Sequence, residues 1–449
     1  MKILHFTHGF FPETSGGTES YLRDIAPRQQ AQGHEVVLVS GSWTVWEEVG
    51  TEEIEVEGLR LLRLHRDDDF NDLHAKAYHP GVDRVLREIL ASEQPDIVHL
   101  HHWLRLTSNI VEICDDMNIP VIVTIHDLYV SCPRCFRVRR DGENCSRHLS
   151  VESCVDCVPR YGHESQIEIE EGIRLHRENY LSELGLARGV FFSTAATRDA
   201  VCEWTGFPED RTRILSMGYQ RRFAEPAPPL PPGEGEPFRF AYWGVVTQRK
   251  GVQVALRALR QAAAKEPSQK VELHVFGWID TEDLDRELRE LASGMSVTFH
   301  GKYDYEQLRG AGIHMGVFPM LCFETFGFVL DECFELSLPC LITNIGAMPT
   351  RAGEAAIAVP PGDVEALAEA MARILARPEI CDELARKIPA PPPLPAEHCA
   401  SLLDSYDQAI ASSRPDPLHP SIDPQRRTDF LLLQRESAQQ TLNPGKGPS

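Results

Sequence analysis

Apolar and polar positions in the first half of the chain follow two alternating rhythms. Residues 2–7, 35–40, 97–101 and 121–125 are short continuous runs rich in Val, Ile and Leu, which predict strands buried on both faces. Between them, residues 19–32 and 81–93 place apolar side chains at helical spacing. Segments 191–193 and 213–216 predict later strands of the same domain. Strand, helix, strand repetition of this kind builds a doubly wound parallel sheet.

The rhythm breaks at residues 226–237, where six of twelve residues are proline. Such a stretch fits neither a helix nor a central strand and reads as a stiff linker. The alternation then restarts. Segments 239–243, 272–276, 297–299, 315–318, 339–343 and 356–359 predict strands, and 251–265, 282–292, 326–337 and 364–376 predict helices. The fold class expected is α/β, with two Rossmann-like doubly wound domains. The first spans residues 1–222, the linker 223–237 and the second domain 238–388. A second proline-rich stretch leads into a helical pattern at 400–410, so 389–411 is expected to return and pack on the first domain. Residues 412–449 are rich in Pro, Ser and Gln without periodicity and are expected to be disordered.

Composition narrows the partners. The 449 residues carry 67 Asp and Glu against 45 Lys and Arg, a formal charge of −22. An acidic surface of that size repels a phosphate backbone and excludes a general nucleic-acid binder. No run approaches the ~18 apolar residues of a membrane span, and the N-terminus reads as a buried strand, not as an export signal. A cytoplasmic protein is expected, peripheral at the inner membrane at most.

Ligands of open α/β sheets bind beyond the carboxyl ends of strands. Four segments lie there. Ser15-Gly16-Gly17-Thr18-Glu19 follows the first strand and opens a helix, so its glycines let backbone amides approach an anion. Thr124-Ile125-His126-Asp127 ends a strand in two titratable side chains. Gln248-Arg249-Lys250-Gly251 puts two cations after the first strand of the second domain, where they can neutralise a diphosphate. In the fourth, Glu324 lies in a loop before a helix and Glu332 about two turns into it. An ionised carboxylate is an acceptor-only group suited to sugar hydroxyls.

Together these segments resemble glycosyltransferase family 4, the retaining nucleotide-sugar transferases of GT-B fold. The resemblance runs from Met1 to about Ile410. It is carried by Gly16-Gly17, Gly33-His34-Glu35-Val36, Asp96-Ile97-Val98-His99, Lys250-Gly251 and the Glu324-x₇-Glu332 pair followed by Leu338-Pro339-Cys340-Leu341-Ile342. It implies two domains facing a central cleft. Glu324 would hold hydroxyls of the donor sugar and Glu332 the ribose hydroxyls. Amides at Thr325, Phe326 and Gly327 would meet the pyrophosphate, and backbone around Gly277 and Gly301 the base. Lys250 with Arg249 would stabilise the leaving diphosphate in place of a metal, Gly16 and Gly17 would close on the phosphates, and His126 would contact the donor sugar. One position departs from the pattern: Val245 stands where the family usually has Arg, and Arg249 is expected to take over that charge.

The expected reaction is transfer of a sugar from a nucleoside-diphosphate sugar to a hydroxyl of a sugar, glycan or lipid-linked acceptor, with retained configuration, in glycan, polysaccharide or glycoconjugate synthesis. No cofactor is expected for catalysis. The competing readings are a GT-B epimerase or phosphorylase, and a non-catalytic GT-B partner subunit.

A cysteine-rich insertion, residues 131–161, follows His126-Asp127. Cys132, Cys135, Cys145, Cys154 and Cys157 approach zinc-ribbon spacing, and a reducing compartment argues against disulfides. Structural zinc is expected on Cys132, Cys145, Cys154 and Cys157, with Cys135 spare. The insertion carries six Arg against four Asp and Glu, which suggests a surface for an anionic acceptor.

Overall fold

The structure, a computed structural model, describes residues 1–68, 78–158, 164–223, 233 and 235–442. It divides into two compact units: Met1–Gly218 with Pro395–Ser449, and Tyr219–Leu394.

Unit 1 is built on an eight-stranded sheet. Its strands are β1 (Lys2–Thr7), β2 (Glu35–Gly41), β3 (Gly50–Val56), β4 (Leu59–His65), β5 (Ile97–Leu100), β6 (Val121–Ile125), β7 (Gly189–Phe192) and β8 (Thr212–Ile214). They lie in the order β3-β4-β2-β1-β5-β6-β7-β8, all parallel except β3. Ile3, Leu4, Phe6, Val37, Val39 and Ile122 are fully enclosed, as strands covered on both faces require. The helices are α1 (Gly17–Ala31), α2 (Pro80–Glu93), α3 (Ile110–Asp116), α4 (Val151–Cys154), α5 (Gln166–Leu186) and α6 (Ala195–Thr205). The β3–β4 hairpin is absent from the pattern reading because β3 alternates glutamate with apolar residues and stays half-exposed at the sheet edge. Its turn, Glu57-Gly58, has both residues at positive φ, the geometry of a tight hairpin.

Unit 2 has six parallel strands: β9 (Phe238–Trp243), β10 (Val271–Phe276), β11 (Val297–Gly301), β12 (Met315–Phe318), β13 (Cys340–Thr343) and β14 (Ala356–Val359). Their order is β11-β10-β9-β12-β13-β14, with the chain reversing direction across the sheet between β9 and β12. The helices are α7 (Val252–Lys265), α8 (Glu282–Ala292), α9 (Tyr305–Gly310), α10 (Phe328–Glu335), α11 (Met348–Ala352), α12 (Val364–Ala376) and α13 (Ile380–Ala385). The chain enters this unit at Tyr219, whose hydroxyl donates to Glu335 at 2.6 Å. That is ahead of the proline-rich stretch, of which 224–232 and 234 lie outside the described residues.

Two C-terminal helices belong to unit 1, α14 (Pro395–Ala411) and α15 (Pro424–Leu442). The first packs on α1 and buries Leu402, Leu403 and Tyr406. The second corrects the expectation of a disordered tail from residue 412. Arg426 pairs with Glu171 at 2.6 Å and with Glu178, while Arg427 is buried against Glu112 at 2.6 Å and Asn179 at 3.1 Å. Charge pairing to α3 and α5 orders the segment, which is why no apolar period betrayed it. Residues 443–449 lie outside the described residues. Among the described residues no helix is long and apolar enough to cross a membrane.

Candidate functional site

In unit 2 the expected residues converge on the carboxyl ends of β9 and β12. After β9 the chain turns through Gln248–Lys250 into Gly251, which has φ +76° and starts α7. A Cβ on Gly251 would lie 1.9 Å from the Pro319 carbonyl oxygen, so only glycine lets this turn reach the end of β12. Leu321 N–H donates to Arg249 O at 2.8 Å and ties the two loops together. Lys250 Nζ then stands 2.6 Å from Glu324 Oε2. Burial disfavours the Lys250 charge, but the Glu324 carboxylate outweighs it and holds the ammonium above its ordinary pKa.

Glu332 lies on α10 and is nearly enclosed. Trp243 Nε1–H, at the end of β9, donates to its Oε2 at 3.0 Å, and the Tyr305 hydroxyl donates to its Oε1. Arg222 Nη2 is 3.6 Å from the same oxygen and its guanidinium lies over the Tyr305 ring. Burial raises the Glu332 pKa, against the pull of Tyr305, Arg222 and Trp243. Each carboxylate oxygen keeps acceptor capacity beyond these contacts.

The loop between the two glutamates is clamped by Arg351. Its Nη1 donates to Phe326 O (3.0 Å) and Gly327 O (3.1 Å), its Nη2 to Asp331 Oδ1 (2.6 Å), and it stacks on the Phe326 ring. Gly327 caps the N-terminus of α10, where the helix dipole is positive and Leu330 N–H already bonds Gly327 O at 3.0 Å. Thr325 immediately precedes this turn.

Gly277 and Gly301 sit together at the ends of β10 and β11, with Gly277 N–H donating to Gly301 O at 2.7 Å. That amide is therefore engaged inside the protein. A Cβ on Gly277 would fall 1.8 Å from Gly244 O. Trp278, Thr281, Arg286 and His300 line an open groove beside the pair. The Val245 side chain is 43% exposed, and its carbonyl accepts from the Tyr242 hydroxyl at 2.9 Å.

In unit 1, Gly16 caps α1 in extended backbone and Gly17 begins the helix, with nothing within 4 Å of a Cβ at Gly17. Internal packing therefore does not demand glycine at 17. His126 ends a chain of buried rings. Gln29 turns its amide nitrogen to Tyr406 Oη (3.3 Å) and its oxygen to His5 Nε2 (2.8 Å). His5 Nδ1 meets His101 Nε2 at 3.0 Å, and His101 Nδ1 meets His126 Nε2 at 2.9 Å. His99 bridges Tyr406 Oη and Thr124 Oγ1, both at 2.7 Å. Donors of His5, His99 and His101 lie within 4.8 Å of one another, yet both nitrogens of each ring are already hydrogen-bonded, so the cluster reads as a satisfied network and not as a metal centre. Burial lowers the pKa of His5 and His126 to about 4 and keeps these rings neutral.

The cysteine segment is folded around Arg137, which is buried and stacks on Trp204. Its Nη1 donates to Ser131 O (2.8 Å) and its Nε to Cys145 O (3.0 Å), while Nη2 lies 3.8 Å from Cys145 Sγ. The thiols of Cys132, Cys145 and Cys154 all act on this guanidinium electrostatically. Cys157 N–H donates to Cys154 O at 2.9 Å, and all five cysteines are free thiols. Leu149, Val158, Ile169 and Ile173 give the segment its own small core. Residues 159–161 of the insertion lie outside the described residues.

Trp243, Tyr305, Arg222 and Arg351 escaped the sequence reading. None sits in a motif with its partner: Trp243 is 89 positions from Glu332. The signal available was Trp243 itself, a polar-tipped ring at a strand's carboxyl end, whose N–H needs a buried acceptor.

Comparison with known proteins agrees with the two-unit fold. Residues 15–221 match the family described as Glycosyltransferase Family 4, and residues 237–377 match Glycosyl transferases group 1. Sucrose-phosphate synthase from Thermosynechococcus elongatus superposes with a TM-score of 0.61 at 16% identity, covering 99% of this chain and 100% of that one. HepE from Anabaena, solved with UDP and glucose, superposes at 0.56 with 16% identity, covering 98% and 99%. An exopolysaccharide phosphotransferase of Streptomyces coelicolor is 33% identical over 138 residues, 28% of this chain and 14% of that protein's length. With both halves matched and the architecture shared, the chain belongs to glycosyltransferase family 4 and is a transferase of the GT-B type.

Proposed function

We propose that the protein transfers a sugar, with retained anomeric configuration, from a nucleoside-diphosphate sugar to an acceptor hydroxyl. The observation that carries this reading is the Lys250–Glu324 pair at 2.6 Å, set beside the α10 N-terminus. A cation, a hydroxyl acceptor and a helix N-terminus then share one end of the sheet. That is the equipment needed to hold a sugar and stabilise a leaving diphosphate. Glu324 accepts sugar O–H groups and orients Lys250. Lys250, with Arg249, meets the phosphate oxygens as charge develops there. Glu332, held by Trp243 and Tyr305, accepts the ribose hydroxyls. His126 belongs to unit 1, where burial keeps its ring neutral at physiological pH, so it would offer a sugar a hydrogen bond and not a proton. In the front-face route the bond from C1 to phosphate oxygen breaks, the bond from C1 to acceptor oxygen forms on the same face, and the acceptor proton passes to the departing phosphate. HepE of this fold was solved with UDP and UDP-glucose, which makes a uridine donor the first to try. The acceptor hydroxyl belongs to a sugar, a glycan or a lipid-linked saccharide.

The donor reading is tested by a thermal-shift screen of nucleotide sugars. A ligand that binds only the folded state at one hundred times its Kd adds about 2.7 kcal/mol of stability. One donor should raise the melting temperature of the wild type, and less so of Glu332→Ala. A screen in which no nucleotide sugar shifts it contradicts the reading.

The proposal extends to structural zinc on Cys132, Cys145, Cys154 and Cys157, although among the described residues no three of these thiols lie within 4.8 Å of one another, so the ion would have to draw them together. Arg137 supplies a buried cation that would offset part of a tetrathiolate charge, and the ion would tie together a segment with a small core. Elemental analysis of the purified protein checks this: about one zinc per chain is expected, and none in a preparation made without chelator contradicts it.

A further inference from the structure

One end of the unit 1 sheet, apart from the residues discussed above, gathers buried polar atoms that lack hydrogen-bond partners. β1 and β2 finish side by side, with Thr7 level with Ser40, and both hydroxyls are buried and unbonded. The loop after β1 adds two acceptors. His8 directs Nε2 to Glu19 Oε1 at 3.3 Å, which leaves Nδ1 as the lone-pair nitrogen, and that atom is buried without a donor. Glu13 uses Oε1 to accept from Ser42 Oγ (2.8 Å) and Trp43 N–H (2.6 Å), while its Oε2, 3.5 Å from Arg63 Nε, has no hydrogen bond.

The loop after β5 adds the cation. Arg105 is 3% exposed, yet its Nε and Nη1 have no acceptor. Its backbone stands at φ +62°, the left-handed region that non-glycine residues adopt uncommonly. Gly41 lets it in: a Cβ there would sit 2.7 Å from Arg105 Cβ and 3.0 Å from His8 O. The guanidinium lies against the Trp43 ring, and that ring is 54% exposed. A guanidinium serving the fold would be expected to hold carboxylates or carbonyls with these donors, as Arg351 and Arg137 do. A left-handed backbone and unmet donors at one residue are the pattern of a ligand clamp.

We infer that this end of unit 1 is a subsite for a sugar that carries an acidic group. Arg105 takes the acid through Nε–H and Nη1–H, a charge-assisted contact. Glu13 Oε2 and His8 Nδ1 accept sugar hydroxyls. The exposed Trp43 face offers the platform on which a sugar ring's C–H groups rest. The chemistry is shared by sugar phosphates and by sugar carboxylates. Naming the bound sugar the acceptor rests on the proposed transfer reaction; its binding to unit 1 does not, because no donor is needed to measure it.

Calorimetry on the full chain without nucleotide sugar tests the inference, with glucose 6-phosphate, glucuronate and glucose as probes. At least one acidic probe should bind about ten-fold or more tighter than glucose, as expected for a charged hydrogen-bond pair. A phosphate source is told from a carboxylate source by which of the two wins. In Arg105→Met the preference for the acidic probe should vanish, while the melting temperature of the free protein holds or rises. Trp43→Ala, at an exposed ring, provides the second variant and should weaken the acidic probe about five-fold or more, within the range of a lost stacking contact. No acidic probe outbinding glucose, a preference that survives Arg105→Met, or unchanged affinity in Trp43→Ala overturns it. A donor screen that fails while the acidic sugar binds would sink the transfer reading and leave this subsite standing.

Discussion

Lys250 and Glu324 form a pair that is only partly shielded, with side-chain exposures of 28% and 22%. An ion pair in that setting contributes little to stability. Its value lies in what arrives next: a diphosphate replaces solvent around an ammonium already charged and aimed. Lys250→Ala is therefore expected to lower kcat by about 10²–10³ and to leave the melting temperature nearly unchanged, which steady-state kinetics and calorimetry on one preparation will show. Glu332 differs because it is buried and serves two donors. Glu332→Gln should raise KM for the nucleotide sugar and also cost about 1–3 kcal/mol of folding stability, since one of its two donors loses its acceptor. At this scale the sequence was informative where spacing encodes function. Glu324 and Glu332 share one loop-helix element, and Lys250 precedes the glycine that its turn requires. Trp243, Tyr305, Arg222 and Arg351 were illegible because each gains its meaning from a partner on another element.

At the scale of elements, continuous apolar runs predicted the parallel strands to within a few residues, because a strand buried on both faces has no polar register to confuse. The same criterion missed the β3–β4 hairpin, in which β3 carries the glutamates of an edge strand and the parallel strand β4 is interrupted by Arg60 and Arg63, and it missed α15, which pairs through arginines. Removal of residues 412–449 should lower the melting temperature, and Arg427→Ala alone should cost about 3–5 kcal/mol, because Glu112 and Asn179 lose a buried partner. Thermal melts of the full chain and the deletion variant check the first, and urea titrations of the full chain and Arg427→Ala the second. The strand ends of unit 1 carry a pH signature. His5, His99, His101 and His126 bind a proton near pH 6.5 when unfolded, but burial lowers the folded values, to about 4 for His5 and His126. Below pH 6.5 the unfolded chain therefore takes up protons that the folded chain refuses. Stability is full above pH 6.5 and falls as the pH drops toward 4, by about 1.4 kcal/mol per pH unit for each such ring. Urea midpoints at pH 7.5, 6.0 and 5.0 should decline steeply across that window, and a flat profile would contradict the burial of these rings.

For the whole molecule, the charge of −22 excludes phosphate-rich polymers without excluding phosphate ligands, since a few local cations can hold a small anion: Arg105 is buried, Lys250 partly shielded and Arg249 at the surface. The division into two doubly wound units was readable from the restart of the strand-helix rhythm. The point of crossing at Tyr219 was not, because it is set by a contact with Glu335, 116 positions away, and not by the prolines that follow. The central claim is sugar transfer from a nucleoside diphosphate, and it is tested most directly by release of UDP. The purified chain would be given UDP-sugars with a mixture of neutral and acidic saccharides, and UDP followed by coupled assay. The expected result is release with at least one donor, together with a new glycoside whose anomeric configuration matches the donor's, and a fall of about 10²–10³ in Lys250→Ala. Release that proceeds undiminished in Lys250→Ala, or a glycoside of inverted configuration, would contradict it.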